Sequence, residues 1–306
     1  MVVGSIAQDF VDSPRVRLDG ELGGSAVYFA LAARHFGPVA VVGAVGADRA
    51  TELRQVLDFA DLERLTVTQQ PTYMWRAHRP TDDGDAETLE RFPGGYDGYR
   101  PEAGPAASVP STVFLGSADP DVQVALARGL PPGTLVAGDT MDIFIEGQRA
   151  AVEEMVSSCR ILFATERELE MLAGTRGIAA AATQALERFQ LTAAVIKRGS
   201  GGAILWTRGG NHRLHPPAVD VIDPTGAGDA LAGGMVGRLA QVIDGRPTED
   251  SPARPPMSAE TLLEALEWGM VTASFAISAP GLAGLREIDG SHLRAKLEIY
   301  RTEQGS

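Results

Sequence analysis

A chain of 306 residues, 44% of them hydrophobic, can bury a large core, which excludes general disorder. Its 27 Lys and Arg stand against 40 Asp and Glu, and the net charge of -13 repels a phosphate backbone, which excludes nucleic acid as the expected partner. The one cysteine, Cys159, excludes an intramolecular disulfide and a cysteine-based metal site, and it fits a reducing, cytoplasmic compartment.

Residues 1–14 carry no basic segment ahead of their apolar run and reach Asp9 early. No later stretch offers the roughly 18 apolar residues of a membrane helix, so neither a secretory signal nor a membrane span is expected. Residues 1–6 read as a short buried strand, and residues 24–36 as a helix with Ala26, Phe29, Ala30 and Ala33 on one face, closed by Gly37. Apolar runs at 39–42, 113–116, 135–137, 161–164 and 193–196 read as further strands, with helical patterns such as 122–128 and 147–155 between them. That alternation predicts an α/β fold with a doubly wound, mostly parallel sheet flanked by helices. Segments 9–22 and 65–99 break the rhythm. Thr66, Thr68, Thr72, Trp75 and His78, set among charges and Gly94-Gly95, predict a small β excursion beside the main sheet. Residues 245–256, rich in Pro and charge, read as a surface loop between helical patterns. Without repeats or a domain-splitting linker, residues 1–306 are expected to form a single domain.

The strongest local pattern runs from residue 219 to 239: an alternating strand (Val219, Val221), a turn at Asp223-Pro224, then Thr225-Gly226-Ala227-Gly228-Asp229 opening a helix. A glycine turn ahead of a helix exposes backbone N–H groups to an anion, and Gly226 and Gly228 can take positive φ and let a phosphate approach. Asp229 cannot hold that phosphate, because anions repel. At the helix start it can accept a hydroxyl proton and aim the oxygen at phosphorus, or it can simply complement the helix dipole.

The run Asp223-Pro224-Thr225-Gly226-Ala227-Gly228-Asp229-Ala230, followed by Gly233-Gly234, resembles the C-terminal signature of the PfkB (ribokinase-like) carbohydrate kinases. Other segments resemble that family's blocks in order: Gly4-Ser5-Ile6 leading to Asp9, Gly23-Gly24-Ser25-Ala26, residues 43–48, Lys197-Arg198-Gly199-Ser200-Gly201-Gly202, and residues 273–281. The resemblance implies a ribokinase-like sandwich with a small β lid at about 9–22 and 65–99, ATP as phosphoryl donor, and Mg²⁺. It also implies Asp229 as catalytic base, with Gly226, Ala227 and Gly228 as anion hole. Asp9, Gly23 and Gly24 would hold the acceptor, and Lys197, Gly199, Gly201, Thr225, Gly226 and Gly228 the nucleotide. The family's Asn-x-x-Glu element, associated with magnesium and phosphate, stands here as Thr165-Glu166-Arg167-Glu168. Glu168 matches as a water-mediated metal contact, while Thr165 and Glu168 equally fit a helix capping box.

The expected acceptor is a sugar or sugar derivative, phosphorylated on a primary hydroxyl, with a nucleoside as the alternative. Asp9 can accept two sugar hydroxyls or serve as a turn residue. Tyr28 stands where many sugar kinases of the family have asparagine, and either packs or meets the ligand; Tyr73 and Trp75 share a face of a lid strand and either close over a ring or pack. Lys197 and Arg198 can offset ATP charge or stay solvated. His212 and His215 read as surface residues, and a lid with an exposed edge predicts a homodimer. No P-loop, dinucleotide fingerprint or Gly-x-Ser-x-Gly elbow occurs. A ligand-binding relative without catalysis is the alternative of another class, and retention of Asp229 and its glycines opposes it.

Overall fold

The apolar runs become short strands because β-branched and leucine side chains buried on both sides suit the inside of a parallel sheet. A computed structural model describes residues 1–81, 86–245 and 257–304. Its strands are β1 Val2–Val3, β2 Ala7–Asp12, β3 Arg17–Gly23, β4 Val41–Gly46, β5 Leu65–Thr68, β6 Tyr73–His78, β7 Glu87–Phe92, β8 Thr112–Leu115, β9 Leu135–Asp139, β10 Ile161–Thr165, β11 Ala193–Lys197, β12 Ala203–Thr207 and β13 Gly210–Leu214. Its helices are α1 Ser25–Ala33, α2 Ala50–Val56, α3 Pro120–Arg128, α4 Asp142–Gly147, α5 Arg149–Ser157, α6 Glu166–Ala173, α7 Ile178–Arg188, α8 Ala227–Asp244, α9 Ala259–Ala276, α10 Ala283–Arg286 and α11 Gly290–Gln304.

A nine-stranded sheet has the order β13-β12-β11-β10-β9-β8-β1-β4-β5, parallel from β5 through β11 and closed by the antiparallel β12 and β13. Alternate side chains feed two cores. Val2, Phe114, Phe163 and Val195 pack with residues of α1, α8 and α9 on one face, while Val3, Leu115, Leu162 and Ile196 pack with residues of α3, α5, α6 and α7 on the other. Phe29 of α1 stacks on Phe114 at 4.5 Å between ring centres, joining the first helix to the middle of the sheet. The fold is ribokinase-like: a mostly parallel sheet with helices on both faces. A second, four-stranded sheet, β3-β2-β6-β7, follows β1 directly and stands beside the carboxyl ends of the parallel strands, where open α/β sheets bind ligands.

Several expectations change. Leu65–Thr68 pairs in parallel with β4 as the edge of the large sheet, so the smaller sheet draws from this stretch only β6 and β7. Its Thr-Val-Thr alternation reads as an exposed excursion because an edge strand is half solvated. Residues 219–221 form no strand; the Ile222 and Asp223 N–H groups both donate to the Ile277 carbonyl beyond α9, which pins this segment instead. The helix read at 147–155 is α5, Arg149–Ser157, and of the 273–281 block only residues 273–276 are helical, at the end of α9. Of the loop read at 245–256, residues 246–256 lie outside the described residues.

Candidate active site

The 223–229 turn is built by one buried carboxylate. Asp223 accepts from Thr225 N at 3.0 Å and from Gly281 N at 2.8 Å, so a single side chain folds its own turn and ties it to the chain after α9. Gly226 then caps α8 with φ of 73°, a left-handed conformation that disfavours a side chain, and a Cβ there would lie 2.2 Å from the Tyr28 ring. Gly228, expected to share that conformation, lies within α8 instead, where a Cβ would meet Lys197 at 3.4 Å and Asp139 at 3.9 Å. Asp229 is the third residue of α8, next to the first-turn N–H groups that no helical carbonyl can satisfy.

Around Asp229 the parallel strand ends deliver a charged cluster. Lys197, last in β11, donates to both carboxylate oxygens of Asp139, last in β9, at 2.7 and 2.6 Å. Gln123 holds Asp139 from behind, its Nε2 donating to the Gly116 and Asp139 carbonyls at 2.9 Å each. Burial opposes the Lys197 charge, but Asp139 and then Glu168 outweigh it and hold the ammonium above its ordinary pKa. Burial raises Asp229 to about 7; the Asp139 charge adds to the rise and Lys197 opposes it. An acid with that value is poised to exchange a proton near neutrality. Thr165 and Glu168 do form the capping box: Thr165 N donates to Glu168 Oε2 at 2.7 Å, and Glu168 N to Thr165 Oγ1 at 3.2 Å. Burial also raises Glu168, with Lys197 opposing, and its carboxyl still faces the cavity.

The opposite wall comes from the small sheet. Asp9 sits in the middle of β2 rather than in a loop after a strand, 3% exposed, with Gly23 of β3 so close that a Cβ there would overlap its carboxylate. Burial raises Asp9 to about 7; the Gly24 N–H opposes, and Asp229 and Asp223 add to the rise. Gly24, with φ of 95°, caps α1 where a Cβ would strike the Ser5 backbone. Tyr28 is wholly buried, its ring between Gly23 and Gly226. The 43–48 block secures the lid's base: Asp48 accepts from Thr72 N and Oγ1 at 3.1 and 2.8 Å, just ahead of β6.

These walls enclose a cavity of about 650 Å³ lined by Asp9, Gly24, Tyr28, Tyr73, Trp75, Arg91, Asp139, Phe144, Glu168, Lys197, Thr225, Gly226, Ala227, Gly228 and Asp229, among others. Tyr28 OH, Ser117 Oγ, Thr140 Oγ1 and Thr225 Oγ1 all belong to lining residues and are buried without a hydrogen-bond partner among the described residues. Buried hydroxyls are seldom left so, and a polar ligand would satisfy them.

The family model of the pfkB carbohydrate kinases matches residues 133–288, just over half of the chain and including the whole 223–229 turn. The chain belongs to that family. As a pfkB kinase it is an ATP-dependent phosphotransferase. A cytidine kinase of Thermococcus kodakarensis is 29% identical over 270 residues, covering 82% of this chain and 90% of that one. Two solved structures share the fold. The Burkholderia thailandensis nucleoside kinase in complex with inosine has a TM-score of 0.75 at 19% identity, covering 98% of this chain and 97% of that one. The Vibrio cholerae fructokinase bound to fructose, ADP and calcium has a TM-score of 0.76 at 22% identity, covering 97% of this chain and 98% of that one.

Within this pfkB kinase, Asp9, Gly24, Tyr28, Trp75, Glu168, Lys197, Thr225 and residues 226–229 meet at one cavity. Gly23 stands behind Asp9, and Gly199 and Gly201 lie in a short turn after β11 outside the cavity lining. Arg198 faces Glu166 as an ion pair, so it is not simply solvated. His212 and His215 are exposed, as read. Asp139, Gln123 and Arg91 join the site without having been singled out from the sequence.

Proposed function

We propose that this kinase transfers the γ-phosphoryl group of ATP to the primary hydroxyl of a nucleoside. The observation that carries this reading is Asp229: a buried carboxylate in the first turn of α8, facing the same cavity as Asp9. Asp9 accepts ribose hydroxyls, Asp229 takes the proton of the attacking hydroxyl, and the N–H groups at residues 226–228 receive the negative charge that develops on the phosphoryl oxygens. Lys197 adds positive charge beside Gly228, and the Thr225 hydroxyl is free to bind a phosphate oxygen. Residues able to cage a metal in a group of three are absent among the described residues, so Mg²⁺ fits only through phosphate oxygens and water, with Glu168 as the protein carboxylate. Bound there, Mg²⁺ would neutralise triphosphate charge.

The nucleoside is favoured over a free sugar by the cavity's reach past Trp75 to Phe144 and Gln148, and by the likeness to a cytidine kinase and to a nucleoside kinase that binds inosine. A free sugar is the second reading, because the Tyr28 ring lies against Gly226 and offers no open face to a base. ADP release measured with cytidine, adenosine, ribose and fructose in parallel separates the two. Turnover of nucleosides at lower KM than any sugar is expected; turnover of sugars alone would reverse the order.

The two glycines of the turn should respond differently to alanine. Gly228→Ala is expected to fold normally, since its Cβ meets only ordinary contacts, and to lose turnover by about tenfold or more as the methyl enters the anion space. Gly226→Ala is expected to lose about 2 kcal/mol or more of stability from positive φ and the Tyr28 clash. Denaturation curves and turnover on the same preparations check both, and a fully active Gly228→Ala would remove the turn from the phosphate site.

The lid also suits self-association. β7 is an edge strand with Leu89 61% and Phe92 47% exposed, which supports a homodimer through the lid. No described helix is long and apolar enough to cross a membrane, which is compatible with the cytoplasmic placement expected of a kinase using ATP.

A further inference from the structure

Across the small sheet, cavity-lining residues of successive strands stand side by side: Asp9 of β2 is in register with Trp75 of β6, and Trp75 with Arg91 of β7. Adjacent strands lie about 4.8 Å apart, which separates the Asp9 and Arg91 backbones by roughly 10 Å. A carboxylate, an indole and a guanidinium thus follow one another along one wall. Trp75 is fixed by its indole N–H, which donates to Thr88 Oγ1 at 3.1 Å. Arg91 is placed by an aromatic contact: its guanidinium lies 5.0 Å from the centre of the Phe144 ring of α4, another residue of the cavity lining.

A ribose held at Asp9 would have its base directed along this row, past Trp75 to the planar fork of five N–H donors that an arginine carries. We propose that Arg91 determines acceptor specificity by reading the base edge of the nucleoside. The fork favours bases with two acceptor atoms side by side, as cytosine has in O2 and N3 and guanine in O6 and N7, over uracil and adenine, where donors alternate with acceptors. A free pentose at Asp9 ends before it reaches Arg91. The inference rests on the nucleoside reading above.

The test is a KM and kcat series with cytidine, guanosine, uridine, adenosine and ribose for the unmodified enzyme, Arg91→Met and Arg91→Lys. The unmodified enzyme is expected to prefer cytidine or guanosine to uridine and adenosine. Arg91→Met is expected to raise KM for the preferred nucleoside by about tenfold, as a lost bidentate contact does, with kcat changed less than about twofold and uridine and adenosine little affected. Arg91→Lys, which keeps the charge and the long stem, should recover only part of the preference. Because Arg91 also bridges the lid to Phe144, a structural role predicts an equal loss for every acceptor, and that result would overturn the inference. So would an unchanged KM for cytidine and guanosine in Arg91→Met, or an unmodified enzyme indifferent to the base. Should Arg91→Met fail to fold, Arg91→Lys carries the test: full retention of the preference in it contradicts the fork. Turnover of sugars with every nucleoside inert is visible in the unmodified enzyme alone; it defeats the nucleoside reading itself, and this inference with it.

Discussion

Asp229→Asn is expected to lower turnover by about 10²–10⁴ while leaving ATP and acceptor binding close to normal. The amide keeps the size of the side chain and its place in the first turn of α8, but it cannot take the hydroxyl proton. The same assignment sets a pH dependence. With Asp229 as the proposed base the carboxylate is the active form, and burial and the Asp139 charge raise its pKa to about 7, so activity should be full above that value and fall as pH drops through it. Asp9, also raised to about 7 by burial, must likewise be ionised to accept sugar hydroxyls, so the acidic limb should fall more steeply than one ionisation allows. Near-normal turnover of purified Asp229→Asn, or a flat profile between pH 5 and 8, would remove Asp229 from the chemistry.

Lys197→Met carries the largest expected cost in stability. Lys197 and Asp139 are paired at 2.6 Å with side chains only 18% and 4% exposed, so removing the ammonium strands a buried carboxylate. Loss of one partner of such a pair costs about 3–5 kcal/mol. Much of that cost belongs to the abandoned Asp139 charge, so the double variant Lys197→Met with Asp139→Asn should regain most of the stability measured by denaturant titration. Turnover should stay low in both, because neither keeps a positive charge beside Gly228. If Lys197→Met were as stable as the unmodified protein, the pair would not be the buried interaction described.

The residues legible from the sequence are those whose local pattern already states the chemistry. Thr225 to Asp229 announces a glycine turn, a helix start and an acid within one short run, and in the structure Asp223 ties that turn to Gly281. Strand positions were legible for a similar reason: a run such as Ala193–Lys197 is apolar until its last residue, which marks the end where a ligand can sit. Asp139 has the same signature at the end of Leu135–Asp139, yet its function depends on Lys197, 58 residues away, and no local pattern reports that pairing. Asp9 reads as a candidate turn residue because it follows the short apolar run of residues 1–6. In β2 the side chains alternate, with Ala7, Asp9 and Val11 all buried, so the acid belongs to the inner face. Arg91 was invisible because its row with Asp9 and Trp75 exists only once β7 pairs with β6 through a register shift between Arg76 and Ala77.

Phosphorus NMR of the product formed from cytidine, ATP and Mg²⁺ shows which hydroxyl receives the phosphoryl group. A nucleoside 5′-monophosphate is expected, formed in equal amount with ADP and at least about 10²-fold more slowly when Asp229→Asn replaces the unmodified enzyme. ADP release without a phosphorylated nucleoside, or phosphate found on a secondary hydroxyl, would contradict transfer to a nucleoside's primary hydroxyl.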